Sequence, residues 1–266
     1  MKTALGLYSL FLEYEANPEK TLKEIKKMGI DAIECYGNPV MPSEQFLKLL
    51  KDNELQLIGW HVEWELLQER TINQTIAYHV ACQTPILFIP ALGGPWEIGH
   101  TIEENNSSRW LVYAARMKLI RERLAAHGIA LGYHTHDYDF GELLDNGKTS
   151  VEILMEKAPQ DLQIEVDTGN CIEASKDPIF YLEALQDQAK YLHCKPFSLK
   201  SGYNVALGAT DDENSWLEIL SHCKKVDYLV LETEQRQESQ NQFEIVQKDF
   251  QQLEKLRRQV TSTNQI

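Results

Sequence analysis

Four clusters of imidazole and carboxylate side chains each close a short apolar run in the second half of the chain. They are Tyr133-His134-Thr135-His136, Glu165-Val166-Asp167-Thr168-Gly169-Asn170, His193-Cys194-Lys195 and Glu232-Thr233-Glu234. Such side chains ligate divalent cations and move protons. With His134, Asp167, His193 and Glu232 as markers, the steps between clusters are 33, 26 and 39 residues. A strand with its return helix takes about 30 residues. The spacing therefore puts the four groups at the same end of four consecutive parallel strands, where they can meet around one point.

The elements that must position them alternate along the whole chain. Strand-like runs lie at residues 4–10, 31–36, 55–62, 86–92, 129–134, 162–167, 191–195 and 228–232. Helical patterns between them include 18–28, 43–52, 108–127, 151–157, 178–188, 215–223 and 243–258. Gly29 and Gly128 stand just past a helix and before a strand, where a left-handed residue ends the helix. Asn17-Pro18 and Asp177-Pro178 each supply an N-cap followed by proline at the first helical position. The period predicts an α/β fold, a single-domain (β/α)8 TIM barrel over residues 1–260 with a frayed tail at 261–266. A doubly wound open sheet would want a glycine-rich phosphate loop after the first strand, and Leu7-Tyr8-Ser9-Leu10-Phe11 is not one.

Side chains alternate along a strand, so every second residue of a barrel strand points to the axis. Ala130, Gly132, His134 and His136 share one face; so do Gln163, Glu165 and Asp167, then Tyr191, His193 and Lys195, then Glu232 and Glu234. Charge on that buried face costs several kcal/mol unless it is paired or metal-bound. Each group has a plainer reading by itself: Asp167-Thr168-Gly169-Asn170 could be a capped turn, and Lys195 before Pro196 a solvated loop lysine. Their joint placement favours a shared cation. Two imidazoles with two carboxylates suit Mn2+, Zn2+, Co2+ or Fe2+ better than Mg2+ or Ca2+.

A divalent ion chelated by a hydroxyketone polarises its carbonyl and stabilises an enediolate. His136, Glu165 and Glu232 are candidate bases, with Lys195 and His61 placed to hold substrate oxygens. Aromatic residues near strand ends (Tyr8, Phe11, Tyr36, Trp60, Trp64, Trp96 and Trp216) could stack on a sugar face or simply pack. Gly93-Gly94-Pro95 is the one candidate phosphate loop, and a plain loop is its simpler reading.

The 266 residues are 43% hydrophobic and carry a net charge of −14. An acidic excess of that size repels phosphate backbones and argues against nucleic-acid binding. Five cysteines, an odd number without a Cys-x-x-Cys pair, read as reduced thiols. The opening Met1-Lys2-Thr3-Ala4-Leu5 is too short and interrupted for a signal peptide, and no apolar run approaches a membrane span. A cytoplasmic enzyme with no membrane partner follows, with homo-oligomerisation left open.

Gly132-Tyr133-His134-Thr135-His136-Asp137-Tyr138-Asp139-Phe140 is similar to the "YHNHxxEF" signature of the sugar phosphate isomerase/epimerase subgroup of xylose isomerase-like TIM barrels. Val166-Asp167-Thr168-Gly169-Asn170, His193-Cys194-Lys195 and Val230-Leu231-Glu232 extend the resemblance. Weaker pieces around Glu34 and around Trp60-His61 extend it to residues placed for substrate contact. The resemblance implies His134, Asp167, His193 and Glu232 as metal ligands; inward parity adds Glu232, His136, Glu165 and Lys195 as candidate catalytic groups. It implies a metal-dependent isomerase or epimerase acting on a keto-sugar or related polyol. A lyase or dehydratase of the same barrel family and a non-catalytic sugar-binding barrel are the alternatives. Ketose epimerases carry Glu where His134 stands, so only Glu232 of their two facing glutamates is present, and a symmetric two-glutamate epimerisation is in doubt. Endonuclease IV shares the fold but uses a larger zinc cluster and a basic DNA groove, which the acidic balance opposes.

Overall fold

A computed structural model describes residues 1–93, 100–236 and 240–263. Eight parallel strands close into one barrel: Lys2–Gly6 (β1), Ala32–Tyr36 (β2), Gln56–His61 (β3), Ile86–Ile89 (β4), Ala130–His134 (β5), Gln163–Asp167 (β6), Tyr191–Cys194 (β7) and Tyr228–Leu231 (β8), with β8 pairing back onto β1. The helices are Phe11–Ala16 (α1), Pro18–Lys27 (α2), Ser43–Asp52 (α3), Ile72–Cys82 (α4), Ser107–Ala125 (α5), Asp137–Gly141 (α6), Ser150–Lys157 (α7), Thr168–Glu173 (α8), Pro178–Leu185 (α9), Trp216–His222 (α10) and Gln242–Thr263 (α11). The expected single-domain (β/α)8 barrel is therefore the fold. Among the described residues no helix is long and apolar enough to cross a membrane.

The local signals behave as their chemistry requires. Asn17 Oδ1 accepts from Lys20 N at 3.0 Å and Asp177 Oδ1 from Ile179 N at 2.9 Å, so both Asx-Pro pairs open a helix. Gly29 (φ +82°) and Gly128 (φ +76°) take the left-handed conformation that ends α2 and follows α5. Several boundaries differ from expectation, three of them informatively. The first strand stops at Gly6, because Leu7–Leu10 turn into a 3-10 segment that buries Leu7 and Leu10. The fourth strand stops at Ile89. The final helix runs to Thr263 rather than ending at residue 258.

Most of the apolar core lies between strands and helices, where Leu22 and Ile25 of α2, Phe46 of α3 and Trp110 and Met117 of α5 are buried. Inside the barrel the base is filled by Ala4, Ala32, Ile58 and Val230, with Tyr191 stacked on Tyr228 at 5.5 Å. Phe88 rises from β4 across the axis above this layer. It can do so because its neighbour on β5 is Gly132: a Cβ there would meet the Phe88 ring at 2.2 Å. Gly59 likewise leaves room for the Glu34 carboxylate, which a Cβ would approach to 2.8 Å. The β2–β3 pairing jumps from Ile33–Leu57 to Glu34–Gly59, so Ile58 is a bulged extra residue. Above that bulge Trp60 faces the helices and His61 faces the axis.

Candidate metal centre

Alternation along β5 to β8 delivers His134, Asp167, His193 and Glu232 to the C-terminal mouth of the barrel, all of them buried. His134 Nε2 is 4.0 Å from Asp167 Oδ2. His193 Nδ1 is 3.8 Å from the same oxygen and 3.2 Å from Glu232 Oε2. Neither Asp167 Oδ2 nor His193 Nδ1 has a hydrogen-bond partner, although both are fully buried. The other half of Asp167 is committed: its Oδ1 caps α8 by accepting from Asn170 N at 2.9 Å. Asp167 is thus both the helix cap and a ligand-type carboxylate. Unpaired buried atoms on nitrogen and oxygen donors, facing one another at ligand–ligand spacing, are what a divalent cation would satisfy.

A second layer sits directly beneath, built from Glu34, His61 and Glu165. Glu165 Oε2 lies 3.0 Å from His134 Nδ1, 2.9 Å from His61 Nε2 and 3.3 Å from His193 Nε2. Glu34 Oε2 lies 2.8 Å from His193 Nε2 and 3.0 Å from His61 Nε2. His61, His134, Glu165 and His193 are close enough to be read as a ligand group themselves. Their facing atoms, however, pair with one another as imidazole N–H donors to carboxylates, whereas Asp167 Oδ2 above them accepts no hydrogen bond. Carboxylates that take the Nδ1 proton of His134 and the Nε2 proton of His193 leave His134 Nε2 and His193 Nδ1 as the upward-facing nitrogens.

The charges follow from that packing. Burial opposes ionisation of Glu34, but His61 and His193 hold it down at about 2. Burial and Glu34 push Glu165 up, yet His193 and His134 bring it to about 2 as well. Burial would discharge His61, but Glu34 and Glu165 outweigh it and raise the ring to about 10. Burial keeps His134 well below the ordinary imidazole value, so it is neutral. His193 goes the other way: burial is outweighed by Glu165, Glu232 and Glu34, and the ring holds its second proton. A cation held at Nδ1 would take the place of that proton.

Above the four ligand-type groups stand Lys195 and His136. Lys195 Nζ is 3.0 Å from Glu232 Oε1 and 2.5 Å from Glu234 Oε1. Burial disfavours its charge, but Glu232, Asp167 and Glu234 prevail and hold it above the ordinary lysine value. His136 is the converse case, pushed down to about 3 by burial and then by the Lys195 ammonium. Its loop is fastened by Asp139, which accepts from His136 N at 2.9 Å, Tyr133 Oη at 3.0 Å and Ser150 Oγ at 2.5 Å. The mouth therefore carries a fixed ammonium and a neutral imidazole.

The profile of the xylose isomerase-like TIM barrel family matches residues 22–257. The chain belongs to that family. No protein of curated function matches its sequence. Among solved structures, a sugar phosphate isomerase/epimerase from Parabacteroides distasonis ATCC 8503 superposes with a TM-score of 0.80 at 20% identity, covering 96% of this chain and 98% of its own. An L-ribulose 3-epimerase superposes with a TM-score of 0.76 at 14% identity, covering 100% and 97%. The probable 3-DHS dehydratase involved in petrobactin synthesis from Bacillus anthracis gives 0.68 at 18% identity, covering 96% and 99%. At these identities the likeness is one of fold.

In this xylose isomerase-like barrel the residues expected at the site fall into distinct layers. His134, Asp167, His193 and Glu232 come together, with Lys195 and His136 beside them. Glu34, His61 and Glu165 lie below, turned toward the imidazoles rather than the mouth. Trp60, expected against substrate, is placed elsewhere: it packs on Phe46 and Tyr78 and donates Nε1–H to Gly37 O at 2.8 Å, in the helix-facing layer. Trp64 packs on Tyr113, and Trp216 donates to Asp212, so both are structural. Tyr8, 42% exposed, stacks on Phe11 and meets Tyr36 edge-on. Trp96, Gly94 and Pro95 lie outside the described residues. Sequence reasoning passed over Tyr203, whose ring covers Lys195 at 4.1 Å. Its loop lacks strand periodicity, so no parity argument could reach it.

Proposed function

We propose that the protein is a divalent-metal-dependent sugar isomerase or epimerase, working through an enediolate-type intermediate on a keto-sugar or related polyol in the cytoplasm. The observation that carries this reading is the pair of buried, unpaired atoms, Asp167 Oδ2 and His193 Nδ1. They are flanked by His134 and Glu232 and lie beneath an ammonium and a neutral imidazole. His134, Asp167, His193 and Glu232 would hold the ion, which when bound polarises a carbonyl and neutralises oxyanion charge. His136, kept unprotonated by its surroundings, would accept a proton from substrate carbon and return it. Lys195, kept charged, hydrogen-bonds the oxygen on which negative charge grows and does not serve as the base. Glu165, Glu34 and His61 fix ring orientation and tautomer from below. An unphosphorylated sugar is the proposed substrate class.

Elimination is the second reading, favoured by the one-sidedness of the site. The β5 position across from Glu232 carries His134 rather than a carboxylate, while the Lys195 ammonium could hydrogen-bond a departing oxygen. The two separate by incubating the Mn2+-reconstituted protein with keto-sugars in deuterated water. Isomerisation or epimerisation keeps every heavy atom of the substrate and places deuterium on carbon, read by NMR. Loss of water from the substrate would rule out the first reading. Failure to incorporate deuterium into any tight-binding sugar would instead favour a non-catalytic binding barrel.

A further inference from the structure

Lys195 is held from more sides than its two carboxylates require. Its backbone N and O both bond the Thr168 hydroxyl at 3.0 Å, and Asn214 Nδ2 donates to its carbonyl at 3.2 Å. Its stem crosses Gly169, where a Cβ would meet Lys195 Cγ at 3.0 Å. The Tyr203 ring lies over the ammonium, 4.1 Å from Nζ to centroid. That ring is itself anchored: its hydroxyl donates to Asn170 Oδ1 at 2.7 Å and also contacts Glu173, and its edge meets Phe197 at 5.3 Å. Asn170 is tied in turn to both neighbouring strand ends, donating Nδ2–H to Thr135 O at 3.2 Å and N–H to Asp167 Oδ1 at 2.9 Å. The loop bearing Tyr203 is pinned by paired Ser198 and Gly202 backbones at 2.9 and 2.8 Å.

We propose that Tyr203 is a positioning residue: its ring face, packed edge-on against Phe197, holds the Lys195 ammonium in place between Glu232 and Glu234 at the mouth of the site. A planar π face over a partly desolvated cation attracts it and restricts its rotamers. Without the ring, the four-carbon stem of Lys195 can swing toward solvent, as lysine stems do. The catalytic consequence rests on the function proposed above; the contact itself does not.

The test is competitive acetylation of the full chain with trace acetic anhydride, comparing Lys195 with the exposed Lys157 by mass spectrometry in the parent, Tyr203→Phe and Tyr203→Leu. Tyr203→Leu should raise the Lys195-to-Lys157 labelling ratio roughly fivefold, and Tyr203→Phe by less than about twofold, since it keeps the ring. Mn2+ uptake should be equal in all three proteins. A ratio unchanged in Tyr203→Leu, or raised equally in Tyr203→Phe, overturns the proposal. With a turned-over substrate, Tyr203→Leu should lower kcat more than it changes KM, and should cost nothing further in a Lys195→Met background. A further loss in that background means Tyr203 does not act through Lys195. Absence of any turnover would sink the isomerase reading while leaving the labelling result to decide this one.

Discussion

His193 Nδ1 and Asp167 Oδ2 face each other across 3.8 Å, each buried and each without a hydrogen-bond partner. An unsatisfied buried polar atom costs about 1–3 kcal/mol; Asp167 Oδ2 bears that cost outright, while His193 Nδ1 is relieved only by the Glu232 carboxylate 3.2 Å away. Neither side chain is free to turn away: Asp167 is fixed by the cap it makes on α8, and His193 by Glu34 beneath it. Helix capping and the lower carboxylates thus hold open a gap that a cation can close.

Asp167→Asn is the sharpest test of that gap. Asparagine caps a helix about as well as aspartate, so the barrel should keep its stability while Mn2+ affinity falls by more than roughly 100-fold. His134→Ala, His193→Ala and Glu232→Ala should also lose metal, read by elemental analysis after dialysis. Stoichiometric metal retained in all four variants means the ligand assignment is wrong.

Glu165→Gln separates a positioning role from a base. If Glu165 orients His134 and His193, the variant should bind Mn2+ about 10–100-fold more weakly and regain activity when metal is saturating. A variant with parental metal affinity and no turnover at saturating metal would instead make Glu165 the base.

The strand ends were legible because parallel barrel strands are buried on both faces and read as apolar runs; each polar cluster marks where such a run meets the mouth. Depth across strands was not legible. Order along β6 puts Glu165 one inward step below Asp167, but which residues of the other strands share its layer depends on strand stagger, which no single strand encodes. Trp60 shows the same limit, since the Ile58 bulge changes which residues of β3 face inward. α4 was missed because its buried face, Ile72, Thr75, Ile76, His79 and Cys82, mixes polar with apolar residues and blurs the helical stripe.

Gly132→Ala tests the crowding at the axis. The added methyl falls 2.2 Å from the Phe88 ring, so the variant should lose about 1–3 kcal/mol or more in urea unfolding. Phe88→Leu in the same chain should restore part of the loss. Unchanged stability in the single variant would mean that Phe88 does not cross the axis here.

Lys195→Met removes the ammonium while keeping much of the stem's packing. Metal content should stay near the parent's and turnover should fall by roughly 100-fold or more, the scale of losing one charge-stabilising donor. Parental activity would reduce Lys195 to a bystander and move weight toward a binding function.

His79 gives the pH dependence of stability a component separate from the metal centre. It is buried against Trp60, with its Nδ1 3.1 Å from Thr84 Oγ1. Burial pushes it down from 6.5 to about 4. The folded state therefore binds this proton less tightly than the unfolded chain does. Its stabilising contribution is complete above about pH 6.5 and is lost as pH falls toward 4, amounting to about 2–3 kcal/mol across that window. Buried carboxylates titrate nearby, so the readout is the difference between the parent and His79→Gln in urea unfolding at pH 7.5, 6 and 4.5. The variant should start less stable and converge on the parent as pH drops. Parallel curves would show that His79 is already protonated in the fold, or never buried as described.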